Sequence, residues 1–299
     1  MVRIATFNAE NLFARYRFRQ NFNPAADGGF GINDTAFEVH DEADKRITAR
    51  AIREVDADIL CLQEVENLAV LERFNSRMLG GMGYDHRLVV DSHDPRMIDV
   101  AVLSRHPIAY VNTHRHERNA ANTTWLFSRD CLEVDIDVDG TPLSLYVNHL
   151  KSMMEGRGQT HDRRKEQADR VNWIVDHWWT TSGEKHNFVV LGDLNDYPQG
   201  ATALASLLAN PLLVNVIDRL PAADRWTHFW AGGNEYHQLD YLLISKALAD
   251  KNKTTKPQIM RKGLPHRAVK YAGDRFDEVG HDNPKASDHA PMVMELKLV

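Results

Sequence analysis

Cysteine is nearly missing from this 299-residue chain: Cys61 and Cys131 are too few for a disulfide framework or a four-thiolate zinc site. Cys61 lies in the apolar run Ile59-Leu60-Cys61-Leu62 and Cys131 opens an alternating run, so both are expected as buried thiols. Long apolar runs are missing as well. Nothing approaches the ~20 residues of a membrane span, and Met1-Val2-Arg3-Ile4-Ala5 leads into no apolar stretch with a small-residue cleavage site. The expectation is a cytoplasmic protein without stable membrane association. A large excess of one charge is also lacking: a net −6 is too dilute for disorder, and 43% hydrophobic with 26% charged residues is globular composition. No Gly-x-Ser-x-Gly elbow, P-loop, Gly-x-Gly-x-x-Gly or His-Glu-x-x-His is present, which leaves hydrolysis by metal-activated water among the common site chemistries.

Short apolar runs alternate with helix-period segments. Strands are predicted over Val2–Asn8, Asp58–Val65, Val100–Ser104, Leu132–Val138, Leu143–His149, Phe188–Gly192, Leu239–Ile244 and Pro291–Leu298. Helices are predicted over Asp44–Val55, Leu68–Met78 and Arg163–Trp178, with Trp178 at core spacing in the last. Asp139-Gly140 predicts a two-residue hairpin turn. Hairpins mixed with strand-helix-strand units imply mixed sheets in one α/β domain over residues 1–299, with long loops at Arg15–Val39 and Asp250–Pro284.

Polar side chains gather at the predicted strand ends, where open α/β sheets place their sites. Asn8, Gln63-Glu64, Asn148-His149, Asp193-Leu194-Asn195, Asp240 and Ser287-Asp288-His289 come from six separate elements. Singly, each reads as a turn cap; six together do not. Asn8, Glu64 and Asp288 offer hard oxygen donors that suit Mg²⁺ or Mn²⁺ better than zinc. His114-Arg115-His116, in a polar stretch with Arg118, reads as a solvated loop.

The ordered series Thr6-Phe7-Asn8-Ala9-Glu10-Asn11, Leu62-Gln63-Glu64-Val65, Val102-Leu103-Ser104-Arg105, Asn148-His149-Leu150-Lys151-Ser152, Gly192-Asp193-Leu194-Asn195-Asp196, Leu239-Asp240-Tyr241-Leu242 and Ser287-Asp288-His289-Ala290-Pro291 resembles the motif series of the endonuclease/exonuclease/phosphatase superfamily, with its deoxyribonuclease-like members. The resemblance implies a four-layer sandwich, two packed mixed β-sheets flanked by helices. It implies Glu64 as main metal ligand, Asn8 beside it and Asp288 ligating or orienting the metal. Asp193 and Asn195 resemble the pair that orients the attacking water, and His289 with Asp240 resembles the couple that acts on the nucleophile or binds phosphate. The general base stays open between Asp193 and His289. His149 resembles the second histidine of deoxyribonucleases and sphingomyelinases, where abasic-site endonucleases place tyrosine. Asn148, Arg105 and Arg129 complete the substrate-binding candidates, the arginines contacting phosphate or pairing with carboxylates.

The substrate expected from this is nucleic acid, cleaved by a monomeric Mg²⁺- or Mn²⁺-dependent phosphodiesterase of nuclease type. Lys246–Lys270 carries eight Lys or Arg against the single acid Asp250 and is expected to form a basic wall beside the site. Arg15-Tyr16-Arg17-Phe18-Arg19 interleaves bases with aromatics as a stacking candidate. The alternative is a lipid or inositol phosphate phosphohydrolase, sphingomyelinase-like or inositol-polyphosphate-phosphatase-like, for which Trp178-Trp179 and Trp226 to Trp230 are the only insertion candidates. A silent scaffold is disfavoured because Glu64, Asp193, Asn195, Asp240 and His289 are all present.

Overall fold

The computed structural model describes residues 1–17, 36–39, 42–181 and 187–299, apart from the side chains of 14–17, 36–39 and 180–181. The strands are β1 (Val2–Leu12), β2 (Ala14–Arg17), β3 (Ala36–Val39), β4 (Ile59–Val65), β5 (His86–Val89), β6 (Asp99–Ser104), β7 (Ile108–Thr113), β8 (Cys131–Val138), β9 (Thr141–His149), β10 (Phe188–Asp193), β11 (Leu213–Asn215), β12 (His228–Trp230), β13 (Glu235–His237), β14 (Asp240–Ser245), β15 (Gln258–Ile259) and β16 (Met292–Leu296). The helices are α1 (Glu42–Val55), α2 (Leu68–Met78), α3 (His161–Thr181), α4 (Ala205–Leu208) and α5 (Lys246–Lys251). Two six-stranded sheets dominate, in the orders β15-β16-β1-β4-β6-β5 and β11-β14-β10-β9-β8-β7. Both are mixed: β1 runs parallel to β4 and β9 to β10, while β16 and β14 return antiparallel.

Period-two alternation decides the layering. Odd residues of β1, such as Ala5 and Phe7, pack under α1 and α2, while Val2 and Ile4 face the second sheet. In β9 and β10, Leu145, Val147, Val189 and Leu191 face the first sheet, while Tyr146 and Val190 pack under α3 with Ala168, Val171 and Ile174. Three apolar clusters thus separate four layers, helix on sheet on sheet on helix, as the sequence implies. Each fully buried Val, Leu or Ile contributes ~1.5–3 kcal/mol, so a one-residue slip in any central strand would forfeit its whole face. Helix ends are equally local in origin. Asn67 caps α2 by accepting the Val70 N–H at 3.0 Å, and α1 opens on Glu42 and Asp44 and closes on Arg53, complementing its dipole.

The hairpin turn falls where expected. Val138 pairs with Thr141 across Asp139 and Gly140, whose φ values of 54° and 85° are those of a type I′ turn. Both cysteines are buried, and burial pushes their thiols up, so both are inert. Trp178 departs from expectation: it is 50% exposed, because the core position at that end of α3 goes to Trp179, stacked on Phe188 at 4.7 Å. The Arg15–Val39 loop begins and ends as the paired strands β2 and β3, and its residues 18–35, with Phe18 and Arg19 of the stacking candidate, lie outside the described residues. Strands β5, β7, β11 to β13 and β15 escape the sequence pattern because they are short or lie at sheet edges, where the alternation is weak. Among the described residues, no helix is long and apolar enough to cross a membrane.

Candidate active site

The alternation that fills the inter-sheet core also chooses the polar groups where that core ends. Asn8 continues the inward face of β1, His149 that of β9, Asp193 that of β10, and Asp240 opens the inward face of β14. All four are buried and lie at the same end of the seam, since Asp193 is in register with both His149 and Asp240. The approach of β9 and β10 there depends on Gly192, at φ 131°, where a Cβ would stand 1.9 Å from the Asn148 carbonyl oxygen. His289 reaches the seam from the turn before β16. Ser287 Oγ donates to the Asn8 carbonyl at 2.7 Å and accepts the His289 N–H at 3.0 Å, which fixes that turn on β1.

Asp193 is the centre of the array. Its Oδ1 accepts the Asn195 N–H at 2.9 Å, and its Oδ2 accepts the side-chain amides of Asn8 and Asn195, both at 3.1 Å. His149 Nε2 lies 3.5 Å and His289 Nε2 3.8 Å from that Oδ2. His289 Nδ1 bonds Asp240 Oδ2 at 2.8 Å, which fixes the ring and aims Nε2 between Asp193 and Asp288, the latter 3.9 Å away. Asp240 Oδ1 and His149 Nδ1 are buried without a hydrogen-bond partner.

Two β-bulges bring in the remaining carboxylates. The β4–β6 register shifts between Gln63 and Val65, and Glu64 there has φ 64°. Strict alternation would put Glu64 on the helix side with Leu62; the bulge re-aims it. The β1–β4 register shifts between Asn8 and Leu12, with Glu10 at φ 45° and Asn11 at φ 61°. Left-handed backbone costs ~1–2 kcal/mol at each such residue, and the fold spends it here: the Asn11 N–H reaches Glu64 Oε2 at 3.0 Å. Lys45, buried on α1, holds the bulge by donating to the carbonyls of Ala9 and Glu10 at 2.6 and 2.7 Å.

Burial and neighbouring charge then set protonation. Burial pushes Asp193 up, Asp240 adds to the rise and His289 opposes it. Burial disfavours the His289 imidazolium, yet Asp240 and Asp193 outweigh it and hold this ring well above the usual histidine range. His149 goes the other way: burial, Arg129 and His289 keep it neutral. Asp288 is held well below the carboxylate range because His228, His289 and Lys285 outweigh its burial.

Among the described residues, two groups of three bring ligand atoms within 4.8 Å of one another: Asp193, Asp240 and His289, and His228, Asp288 and His289. Oxygen donors with an unpartnered carboxylate oxygen are what a divalent cation takes up, so the chemistry of the cleft fits one. Glu64 belongs to neither group and stands at the bulge with Asn11.

The sequence passes over Glu10, Lys45, Lys285 and His228 in the site. Glu10 accepts Lys285 Nζ at 2.7 Å and the Asp288 N–H at 2.8 Å, and a cavity of about 600 Å³ opens beside it, lined also by Asn11, Asp44, Lys45 and Lys285. His228 bridges to His289 by backbone pairing, with rings 4.6 Å apart. Glu10 sits inside a motif the sequence displays; nothing in the sequence ties Lys45 or His228 to it, because both arrive from other elements.

Several expected contacts are corrected. Arg105 ends β6 at the opposite end of the sandwich, next to Ile59 and not Glu64, where it pairs with Asp56 and Asp58. Arg129 is buried, bonded to Asp94 at 2.9 Å and donating to the carbonyls of His149 and Leu150, so it braces the β9 end from within the fold. Asn148 alternates to the helix side of β9, where its amide donates to the Tyr146 carbonyl at 3.0 Å. Lys246–Lys270 forms no single wall. Its first part follows the far end of β14, with Lys246 on Asp250 at 2.6 Å, while Lys262 pairs with Glu54, Arg267 with Asp282, and Arg261 lies over Trp226 at 4.2 Å.

Comparison with known proteins agrees with this architecture. Residues 3–297 match the model of the Endonuclease/Exonuclease/phosphatase family. No curated protein sequence matches the chain. Among solved structures, the human Nocturnin catalytic domain with bound sulfate superposes at a TM-score of 0.64 with 17% identity over 100% of this chain and 94% of that one. The Bacteroides thetaiotaomicron mannosyl-6-phosphatase gives 0.63 with 15% identity, 99% of this chain and 100% of that one. D. rerio TDP2 complexed with single strand DNA product gives 0.62 with 13% identity, 99% and 98%.

Proposed function

This chain belongs to the endonuclease/exonuclease/phosphatase family, and from that premise we propose a divalent-metal-dependent phosphodiesterase that cleaves nucleic acid by attack of water at the inter-sheet end. The observation that carries the reading is the Asp193 array: a carboxylate held by three amide donors, 3.8 Å from an imidazole that Asp240 holds at 2.8 Å.

A phosphodiester is a stable anion, so its hydrolysis needs charge neutralisation, a placed and deprotonated water, and help for the leaving oxygen. A divalent cation, Mg²⁺ or Mn²⁺ by the hardness of its donors, would be held by Glu64 and Asp288 with Asn8 beside them and would supply the neutralisation. Asp240 accepts His289 Nδ1–H, so Nε2–H of the imidazolium donates to a nonbridging phosphoryl oxygen. Asp193, made more basic by burial, takes a proton from water as the water oxygen bonds to phosphorus and the bond to the leaving oxygen breaks. Asn195 and Asn8 keep that carboxylate oriented. Neutral His149, on the other side of Asp193, donates to a phosphoryl or leaving oxygen.

For the substrate, D. rerio TDP2 is a protein of this fold complexed with single strand DNA product, and in this chain the exposed Arg96 lies close enough to His149 to act on its charge. A lipid phosphodiester is the second reading, favoured by the exposure of Trp178 at 50% and Trp230 at 51%. The test is turnover after EDTA and readdition of Mg²⁺ or Mn²⁺ on plasmid DNA, single-stranded DNA, RNA, an abasic duplex, sphingomyelin and inositol polyphosphate. Metal-dependent cleavage of nucleic acid is expected. Turnover of lipid or inositol phosphate alone would replace the nucleic-acid reading.

A further inference from the structure

The segment His114-Arg115-His116 with Arg118 looks like solvated loop in the sequence, but its side chains are built into a layered surface. His93 and Trp125 stack with ring centroids 4.5 Å apart and 8° between planes. The Arg118 guanidinium lies 3.9 Å over Trp125, and His116 meets both rings edge-on at 6.0 and 6.1 Å. Arg118 is exposed and, among the described residues, has no carboxylate partner. Arg115 gives its Nε–H to His116 and an Nη1–H to the Asp91 carbonyl, and among the described residues it too has no bonded carboxylate. Of the acids nearby, Asp91 is exposed and the buried Asp130, held by Thr113 and the His114 N–H, faces Arg115 without bonding it. Glu117 pairs with His114 and Arg170, and Asp94 is shared between Arg96 and the buried Arg129. The surface is tied rigidly to the cleft, because His93 precedes Asp94, which holds Arg129, which holds the His149 carbonyl.

We propose that this Arg115–Arg118–Trp125 surface, with Arg96 between it and His149, is the track that binds the single-stranded nucleic acid flanking the scissile phosphate. The inference rests on the nucleic-acid reading above. Two guanidinium groups that no carboxylate bonds satisfy phosphates. The exposed side of Arg118, held 3.9 Å over the indole, offers a surface on which an unpaired base stacks, at little further entropy cost because Arg118 is already placed. Bases inside a duplex present no such face, so the surface selects single strands.

The experiment is anisotropy with a labelled oligothymidylate 20-mer in EDTA across 50 to 200 mM salt, with a duplex of the same length as comparison. It is run on wild type, Arg115→Ala/Arg118→Ala, and the far-end control Lys251→Glu/Lys253→Glu. Wild type is expected to prefer the single strand. The Arg115/Arg118 variant should bind ~10-fold more weakly with its log–log salt slope reduced by ~1.4, about 0.7 for each lost phosphate contact. Its kcat on a small chromogenic phosphodiester should be unchanged, and the Lys251/Lys253 control should match wild type. If the enzyme cleaves single-stranded DNA and the Arg115/Arg118 variant keeps wild-type affinity and slope, the track is wrong and the nucleic-acid reading stands. Equal weakening in the far-end control would also overturn the track. If wild type neither binds nor cleaves nucleic acid while lipid or inositol phosphate is turned over, both fall together.

Discussion

The two ends of the β-sandwich carry similar residues and treat them differently. At the far end Arg105 pairs with Asp56 and Asp58, Asp58 also accepts the Arg3 N–H at 2.8 Å, and the guanidinium lies over Tyr84. There both carboxylates are answered by the one guanidinium. At the near end Asp193 and Asp240 are buried with no Lys or Arg bonded to them, Asp240 Oδ1 is unpartnered, and two imidazoles share one carboxylate at 3.5 and 3.8 Å. Polar residues at strand ends therefore do not mark a catalytic end; unbalanced buried acid does, because such an arrangement is costly unless a cation or a substrate completes it.

Asp193→Asn should break the near end outright. With the base gone, and with one of its two acceptor oxygens replaced by an NH₂ that faces an N–H donor, kcat on a phosphodiester is expected to fall about 10³-fold and the melting temperature to drop as well, by steady-state kinetics and thermal melts. A loss of stability with little loss of rate would reduce Asp193 to a structural acid. Next in size is Arg129→Met, which leaves the buried Asp94 with only Arg96 as a charged partner and takes the guanidinium donors from the His149 and Leu150 carbonyls. It should destabilise by about 3 kcal/mol in urea unfolding, since it breaks a buried ion pair and leaves buried acceptors short of donors. Arg105→Ala tests the far end: about 1 kcal/mol of stability lost and kcat/KM within twofold of wild type.

The last effect is a pH slope, which leaves the catalytic end untouched. Burial opposes protonation of His114, but Glu117 and Glu133 bond its ring and raise it to about 9. Its folded pKa lies above the unfolded value near ~6.5, so its stabilisation is full below pH 6.5 and is lost as pH rises toward 9. Unfolding free energies across that window should decline in wild type, and the part due to this group should vanish in His114→Gln.

Much of this was legible before any coordinates. Alternation in Leu132–Val138 and the Asp139-Gly140 turn dictate the hairpin, and the same alternation sends Asp193 and His149 inward. What alternation cannot do is announce its own interruptions. Glu64 faces the cleft only because a bulge breaks the period at that residue, and Lys45 reaches the β1 bulge from a helix whose pattern reads as core and surface alone. Charge was misjudged for a related reason. Lys246–Lys270 counts as strongly basic along the chain, yet in space Lys246, Lys262 and Arg267 pair with Asp250, Glu54 and Asp282 at different places, so the charge does not gather into one face. Arg115 and Arg118, in a stretch with no excess to notice, keep theirs. Asn148 follows His149 by one position in reverse, and one position is enough to turn a strand side chain to the other face.

The account's central claim is that catalysis belongs to the near end of the seam and needs a divalent cation there. The most direct measurement is kcat/KM on the best phosphodiester substrate for wild type, Asp193→Asn and Arg105→Ala, each titrated with Mg²⁺ from EDTA-treated protein. The account predicts metal-dependent turnover in wild type and Arg105→Ala, and loss of about 10³-fold in Asp193→Asn at saturating metal. Turnover that survives in Asp193→Asn, or that persists in EDTA, would contradict it.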